Sequence, residues 1–294
     1  MSRGGQLFKL SFSVIRKDKT LLLFPVISFA YIVLIGISFM WPMIPGVLSF
    51  SNSVEWWALF IALGLPFYFI AFVVATFFNV ALIGCAIKSI EGTDTTVSYG
   101  IRFANSRFRY IAKWALFACT VGLVIKSLTR IPYIGGIVAK AVGAVWGIGS
   151  YFALPALAME ELDPIQALKR STKIIKSTWA ETLTGNLGVW WYFGIGACVF
   201  YFLMLGILFI LIMLHPDFAI AIICVAVLFV VSLIFTILLG VLASTTEIVL
   251  LAALYRYAIT GEIVPGFPEE ILENPWEEVG EIFGEPEKWK AEDW

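Results

Sequence analysis

The chain has 294 residues, of which 60% are hydrophobic, 16% aromatic and 14% charged, and its formal net charge is −1. A soluble domain carries roughly 25% charged residues, so this composition excludes an ordinary water-soluble protein. We therefore predict that the chain folds in a bilayer.

Long uncharged runs predict an all-α fold, a polytopic transmembrane bundle with about six spans. Roughly 20 residues are needed to cross about 30 Å of hydrocarbon, and four runs exceed that length without a charge. Two further runs are interrupted by Lys126 and Lys140. The predicted spans lie near residues 21–41, 56–87, 111–128, 133–159, 187–214 and 218–243. The first run is too long for a signal-peptide core, so we expect it to be retained.

The distribution of basic residues predicts the orientation of the bundle. Cytoplasmic loops beside membrane spans carry an excess of Lys and Arg. On the six-span assignment, all of the 20 basic residues except Lys126, Arg130 and Lys140 fall on one side. We therefore expect a multi-pass protein of the cell (plasma) membrane with both termini in the cytoplasm.

Two predicted cytoplasmic links contain basic amphipathic helices. In the second link, Asp163 and Pro164 are typical of a helix start, and Ile165, Leu168, Ile175 and Trp179 recur on one face. Such helices lie in the membrane interface with their cations near lipid phosphates. The expected inner-leaflet contacts are Arg102, Arg109, Lys169, Arg170, Lys173 and Lys176.

Three segments carry a resemblance to a known family: SFSVIRKDKTLLLFP (11–25), YFALPALAMEELD (151–163) and QALKRSTKIIKSTWAE (166–181). Together they resemble a family of prokaryotic six-helix integral membrane proteins of unknown function. That family is distantly similar to the membrane domains attached to some glycerophosphodiester phosphodiesterases. The likeness covers roughly residues 6–260 and implies a fold without catalytic residues. The accompanying hydrolase domain is not in this sequence, so the resemblance does not imply phosphodiesterase activity.

The reactive residues do not form a recognisable catalytic set. The single histidine, His215, has only Asp217 beside it, whereas a metal site needs three or four ligands. The sequence contains no phosphate-binding loop, H-E-x-x-H or G-x-S-x-G motif. We expect no enzyme activity, no cofactor and no bound metal. The four cysteines fall within predicted spans without C-x-x-C spacing and are interpreted as small core residues: Cys85, Cys119, Cys198 and Cys224.

Three cations surround the predicted hairpin between the third and fourth spans: Lys126, Arg130 and Lys140. Only 12 uncharged residues separate Lys113 from Lys126, about 18 Å of helix. Some of these side chains must therefore extend toward an interface or face an aqueous cavity. One interpretation is contact with outer-leaflet phosphates, and the other is a pore or pocket that guides anions.

The fourth span also carries a face of small residues at intervals of four: Gly135, Ala139, Gly143 and Gly147. Faces of this kind allow two helix backbones to approach closely. The partner helix can belong to the same chain or to a second copy in a homo-oligomer.

Two polar residues, Asn79 and Glu247, are candidate intramembrane groups, because polar side chains at membrane depth are costly and usually functional. Residues 218–258 would form a helix of about 60 Å, twice the hydrocarbon thickness. Either a new helix begins at the S-x-x-E pattern of Ser244 to Glu247, or one long helix packs its end beneath neighbouring helices. We favour the long helix, and a proton or ion role for Glu247 follows as one hypothesis.

The sequence divides into a transmembrane domain, 1–261, and an acidic cytoplasmic tail, 262–294, with eleven acids and two lysines. The tail is expected to dock on the basic cytoplasmic face or to recruit a cytoplasmic partner, and the alternative is a solvated chain. The predicted function is an oligomeric channel or transporter, and the alternative is a non-transporting scaffold that organises lipids or partner proteins. Membrane lipids and further copies of the chain are the expected partners, without nucleic acid.

Overall fold

The computed structural model describes residues 11–44, 54–132, 134–214 and 218–260. Within these ranges, side chains are described except at 176–192, 209 and 212–221. The predicted tail, His215 and Asp217 therefore lie outside the described residues, as does the side chain of Lys176.

The described residues are helical and include no strand, which confirms the all-α prediction. Residues 11–17 are helical, and short 3-10 turns at Lys19–Leu22 and Trp41–Met43 flank the first long helix. The α-helices are α1 (Leu23–Met40), α2 (Val54–Ile90), α3 (Val97–Ser106), α4 (Phe108–Leu128), α5 (Gly135–Gly149), α6 (Ala153–Glu160), α7 (Pro164–Leu214) and α8 (Phe218–Thr260).

Five helical segments in the described part of the chain are long and apolar enough to cross a membrane. A sixth, shorter apolar segment, Phe193–Leu208, lies within α7, where the sequence predicts the fifth span. The five long segments are Lys19–Met43, Val54–Ile90, Phe108–Leu128, Gly135–Glu160 and Ile222–Thr260.

Local hydrogen bonds explain where several elements begin. Asp18 accepts the backbone N–H of Thr20 at 3.0 Å and caps the first 3-10 turn. Thr96 accepts the N–H of Tyr99 at 3.2 Å and caps α3. Such acceptors satisfy backbone donors that a helix start otherwise leaves unpaired. Helix α7 begins at Pro164, as predicted, because proline loses no hydrogen bond in the first turn.

Helices α7 and α8 are unusually long, with 51 and 43 residues. At 1.5 Å per residue they extend about 76 Å and 64 Å, at least twice the hydrocarbon thickness. Helix α8 is continuous through Ser244 and Glu247, so the predicted long helix is confirmed and the alternative of a new helix start is wrong. The hydroxyls of Ser244, Thr245 and Thr246 donate to carbonyls of the preceding turn, which is compatible with an uninterrupted helix.

The structure differs from the prediction at the start of α7. The sequence predicts an interfacial helix there that is separate from the span near 187–214, whereas the structure joins both into one helix. No proline or other helix-breaking residue except scattered glycine interrupts residues 165–214, so nothing in the sequence forces a break.

The long helices divide into two zones. In one zone, which we call the exposed apolar zone, many large hydrophobic side chains are exposed. This zone runs from Val54 to Ile70 on α2 and from Ile222 to Leu238 on α8. Each of these stretches rises about 24 Å, close to the thickness of the hydrocarbon layer. Further along the same helices, residues 76–90 of α2 and 245–255 of α8 are largely buried by protein.

The buried part forms one end of the bundle, which we call the packed end. It consists of residues 11–24, 76–90 and 245–255 together with α3, the first half of α4, α6 and the first three turns of α7. Close packing there depends on small residues. A Cβ atom at Gly84 would lie 2.5 Å from the Phe103 ring, and one at Gly100 would lie 2.5 Å from the Phe24 ring.

In the exposed apolar zone, aromatic rings link neighbouring helices. Aromatic contacts join α1 to α2, where the rings of Phe39 and Phe67 are 5.8 Å apart. Helices α7 and α8 meet through the stacked rings of Phe200 and Phe235, with centroids 3.6 Å apart. Stacking of Trp114 and Trp146 joins α4 to α5 nearer the packed end. These rings join three pairs of helices, which we call the hairpins, and the pairs also meet, since a Cβ atom at Gly122 of α4 would lie 3.3 Å from the Tyr68 hydroxyl of α2.

Candidate functional site

The fourth predicted span is interrupted where it enters the packed end. Helix α5 ends at Gly149 and α6 begins at Ala153, so residues 150–152 leave the regular helix. The Ser150 hydroxyl donates to the Trp146 carbonyl at 2.7 Å. Non-helical backbone in an apolar span is tolerated only where protein or water provides hydrogen-bond partners.

A side chain of α7 provides one of these partners. The Ser171 hydroxyl accepts the backbone N–H of Phe152 at 2.9 Å, and both residues are 0% exposed. The neighbouring small residue Ala167 is also fully buried. Small side chains at these positions let α7 approach the interruption closely enough for this hydrogen bond.

The side chain at the centre of the interruption is Tyr151. Its hydroxyl is buried and has no hydrogen-bond partner among the described residues. Its ring packs against Phe152 in an edge-to-face contact at 5.0 Å and adjoins the hydrophobic cluster that contains Leu250 and Leu254. Buried tyrosine hydroxyls usually find a partner, so this phenol is an unusual polar group in the core.

Glu247 of α8 precedes Ile248, which packs against the same hydrophobic cluster as Tyr151. Glu247 is half-buried, and Thr245 and Thr246 before it are fully buried. The interruption and the part of α8 that carries these polar residues therefore pack against one hydrophobic cluster.

A second carboxylate fixes the surrounding helices. One oxygen of Glu160, at the end of α6, accepts from Arg170 Nε of α7 at 2.9 Å and from the Tyr255 hydroxyl of α8 at 2.7 Å. Tyr255 is 2% exposed. This arrangement holds α6, α7 and α8 together on one side of the interruption.

Ion pairs join the turn after α6 to the elements around it. Glu161 lies 3.6 Å from Arg107, whose Nε donates to the Ala158 carbonyl. Asp163 accepts from Lys113 of α4 at 2.5 Å. These contacts hold the start of α4 against the start of α7.

Two further polar contacts connect the other elements of the packed end. The buried Thr95 hydroxyl donates to Asp18 at 2.5 Å and links the N-terminal segment to the turn before α3. At the end of α8, Arg256 lies 3.3 Å from Glu91. The described elements of the packed end are therefore connected by polar contacts as well as by apolar packing.

The residues predicted to contact the inner leaflet have different environments. Arg170 is paired with Glu160, so its guanidinium is engaged within the protein. The side chains of Arg102, Arg109, Lys169 and Lys173 are exposed.

The buried face of α7 also differs from the predicted apolar stripe. Among its described side chains, the buried ones are Ala167, Ser171 and Ile174, whereas Ile165 is 60% exposed. The small side chains of Ala167 and Ser171 allow neighbouring elements to approach closely, and Ile174 packs in the cluster that contains Leu250.

The three cations of the predicted hairpin, Lys126, Arg130 and Lys140, are all exposed. They lie in the last turn of α4, in the connection between the helices, and on α5. The structure does not bring them into a buried pocket with Glu247. Asn79 is half-buried on α2, where the packed end begins.

The small-residue face of α5 packs partly within the chain. Gly135 and Ala139 are buried, and a Cβ atom at Gly135 would lie 2.3 Å from the Leu128 carbonyl oxygen. A Cβ atom at Gly143 would meet Ile125 of α4 at 3.8 Å, whereas one at Gly147 would meet nothing within 4 Å. The first part of this face therefore contacts α4, and Gly147 remains open.

Sequence reasoning did not identify Tyr151, Ser171 or Glu160. A signal for the interruption is present in Gly147, Gly149 and Ser150, since glycine and serine are poor residues for a helix interior. Among the described residues, no group of three or more histidine, cysteine, aspartate or glutamate side chains is arranged to hold a metal ion.

The fold and its apolar helices define a polytopic helical membrane protein. Residues 58–265 match the family model described as a family of unknown function (DUF6159), and the chain belongs to that family. Neither the comparison with curated proteins nor the comparison with solved structures finds a match. The predicted membership of a family of unknown function is thus confirmed. The prokaryotic, six-helix character of that family and its likeness to phosphodiesterase membrane domains remain predictions.

Proposed function

We propose that this protein is a transporter or channel of the plasma membrane, with both termini in the cytoplasm and no enzyme activity. The observation that carries the proposal is the interrupted fourth span, with the Tyr151 hydroxyl buried at the interruption and the half-buried Glu247 on α8 next to Ile248, which packs against the same cluster as Tyr151. Interrupted helices and buried carboxylates recur at the ion and substrate sites of membrane transporters.

The division of the bundle into two zones supports the same proposal. The packed end is held by a network of hydrogen bonds and ion pairs, whereas the exposed zone presents many large apolar side chains outward. Movement of one hairpin relative to another would open or close access to the interruption while the packed end stays intact. We further propose a homo-oligomer, because Gly147 is an open position at which a second copy could approach closely.

Reconstitution of the purified protein into liposomes tests the transport proposal. Fluxes of protons, sodium, potassium and chloride are measured with ion-sensitive dyes, and single-channel recordings are made in parallel. We expect flux above that of empty liposomes and a large loss of flux in Glu247→Gln. The matched control is Glu55→Gln, which removes an exposed carboxylate at the other end of the bundle. Flux that is absent for every ion, with the protein folded, contradicts the proposal.

The alternative function is a scaffold that organises lipids or partner proteins. It is favoured by the exposed cations of the packed end, which are available to lipid phosphates or to an acidic partner: Arg102, Arg109, Lys169 and Lys173. A protein without flux that binds anionic vesicles, and loses that binding when these four residues are changed to glutamine, would support the scaffold.

A further inference from the structure

Helix α8 ends close to the first turns of α7. The two helices are antiparallel and meet through the stacked rings of Phe200 and Phe235. Measured along the helices from this contact, Thr260 is 25 residues away on α8 and Lys173 is 27 residues away on α7, which is about 38 Å and about 40 Å. The helices still meet at this end, because both contribute buried side chains to one hydrophobic cluster. The acidic tail, residues 262–294, therefore begins close to Lys173.

Two groups of exposed cations flank the end of α8. One pair lies on α7, one turn apart on one face of the helix. The other pair lies on the N-terminal segment, where Val14 packs against the same cluster as Tyr257 of α8. All four side chains are exposed, and we call them the basic surface: Arg16, Lys17, Lys169 and Lys173.

The acids of the packed end do not pair with the basic surface. Four of them form ion pairs with other basic residues: Glu91, Glu160, Glu161 and Asp163. No acid among the described residues lies within ion-pair distance of the four cations of the basic surface. A cluster of cations without internal compensation favours an anionic partner.

Distance along α7 separates its two cations from the lipid phosphates. The predicted span begins at residue 187, and the apolar segment in the structure begins at Phe193. Lys173 precedes these positions by 14 and 20 residues, or about 21 Å and about 30 Å of helix. The headgroup layer is only about 5–8 Å thick, and a helix tilt of about 20° shortens these distances by less than about a tenth. An acidic polypeptide therefore suits these cations better than a lipid does.

The acidic tail has the charge and the attachment that such a partner needs. It contains eleven acids and two lysines. Because it is joined to α8 beside the basic surface, its effective concentration there is on the order of millimolar. An extended chain rises roughly 3.3 Å per residue, so its first ten residues span about 33 Å.

We propose that the acidic tail binds the basic surface of its own chain and keeps other anionic groups away from it. Exposed ion pairs are individually weak, so several tail acids must act together. The contact weakens with salt, because the screening length falls from about 10 Å at 0.1 M to about 3 Å at 1 M. Binding of the tail does not depend on transport, since the tail begins at the packed end whatever the bundle does.

Zero-length cross-linking tests this contact in the full-length protein. A water-soluble carbodiimide activates a tail carboxyl group, and a nearby lysine amine displaces the activating group as a urea to form an amide. The protein is placed in nanodiscs of phosphatidylcholine alone or with phosphatidylglycerol, at 0.05 M and 1 M salt. Mixing chains of natural and heavy isotope composition distinguishes links within one chain from links between chains.

We expect links within one chain from tail acids to Lys17, Lys169 and Lys173 in both lipid mixtures, and at least about twofold fewer links at 1 M salt. The reference residues Lys126 and Lys140 are exposed at the other end of the bundle and should form no link to the tail. Links that disappear with phosphatidylglycerol would show that lipid occupies the surface. Links that form only between chains would assign it to a second copy. Either result, or the absence of links, would overturn the proposal.

Lysine acetylation provides a second measurement that does not require a cross-link. In the variant, the ten tail glutamates are changed to glutamine and Asp293→Asn is added. Exposed ion pairs each favour contact by about 1.4- to 5-fold, so the lysines of the basic surface should react at least about twofold faster. Glu55→Gln, which removes an exposed acid at the other end, is the matched control and should change no rate. Equal acetylation rates in the tail variant and the wild type, at unchanged Tm, would also overturn the proposal.

Discussion

Replacing Ser171 with alanine tests whether the interruption of the fourth span depends on α7. The Ser171 hydroxyl is the described partner of the Phe152 N–H, at 2.9 Å, and both residues are fully buried. Ser171→Ala leaves that N–H without an acceptor in a site that excludes water. Leaving a buried backbone donor unsatisfied costs about 1–3 kcal/mol. Because alanine is slightly smaller than serine, the added cavity is minor and the hydrogen bond accounts for most of the loss.

The matched control is Thr172→Ala, one residue further along α7. Thr172 is exposed, and its hydroxyl donates only to the Lys169 carbonyl one turn back in its own helix. Surface changes of this kind usually alter stability by less than about 0.5 kcal/mol.

Thermal unfolding in mild detergent, with denaturant titration as a second measurement, compares the two variants. For a protein of this size, 1 kcal/mol corresponds to about 2–4 °C in Tm. We expect Ser171→Ala to unfold at a clearly lower temperature than Thr172→Ala. Equal stability of the two variants would show that the Phe152 N–H does not depend on Ser171.

Further predictions follow from helix packing, the polar network and the topology. Gly135→Leu should destabilise the protein by about 1–3 kcal/mol, because its Cβ would overlap an α4 carbonyl oxygen, whereas Gly147→Leu should preserve monomer stability and reduce oligomeric species in native mass spectrometry. A wild-type protein that is monomeric in nanodiscs would contradict the oligomer. Tyr255→Phe removes a 2.7 Å hydrogen bond to the α6 carboxylate and should cost about 1.5–3 kcal/mol in denaturant titration; an unchanged midpoint would exclude that contribution. Single cysteines at the exposed positions Thr129 and Thr172 should react with an impermeant reagent from opposite sides of sealed vesicles, and reaction from one side would refute the six-span topology.

The long-range features of the fold that depend on hydrophobicity could be predicted from the sequence. Uncharged runs are sufficient to locate the spans, because the bilayer requires about 20 apolar residues wherever a helix crosses it. The absence of a charge or proline in the 29 residues from Phe218 to Thr246 likewise predicts one continuous helix past Ala243. The start of α7 was predictable because Asp163 and Pro164 act locally.

The candidate site was only partly predictable, because its contacts join residues far apart in the chain. Glu247 was identified as a charge within an apolar stretch, a property visible in the sequence alone. Its place next to the cluster against which Tyr151 packs depends on how α8 meets the interrupted span, which no local pattern encodes. The same holds for Ser171, whose hydroxyl bonds a backbone group 19 residues away.

The extension of the helices beyond the exposed apolar zone has a consequence for what holds this protein together. Lipid tails are as apolar as leucine, so the hydrophobic effect gives little drive for helices to associate inside the bilayer. Where the helices extend beyond the hydrocarbon, apolar side chains that are not buried by protein would contact water. Burying them in the packed end is therefore stabilised by the hydrophobic effect. The packed end, rather than the exposed apolar zone, then contributes most of the free energy that holds the helices together. Exchanging lipid for detergent should therefore alter the spacing of the hairpins more than the contacts among α2, α6 and α8.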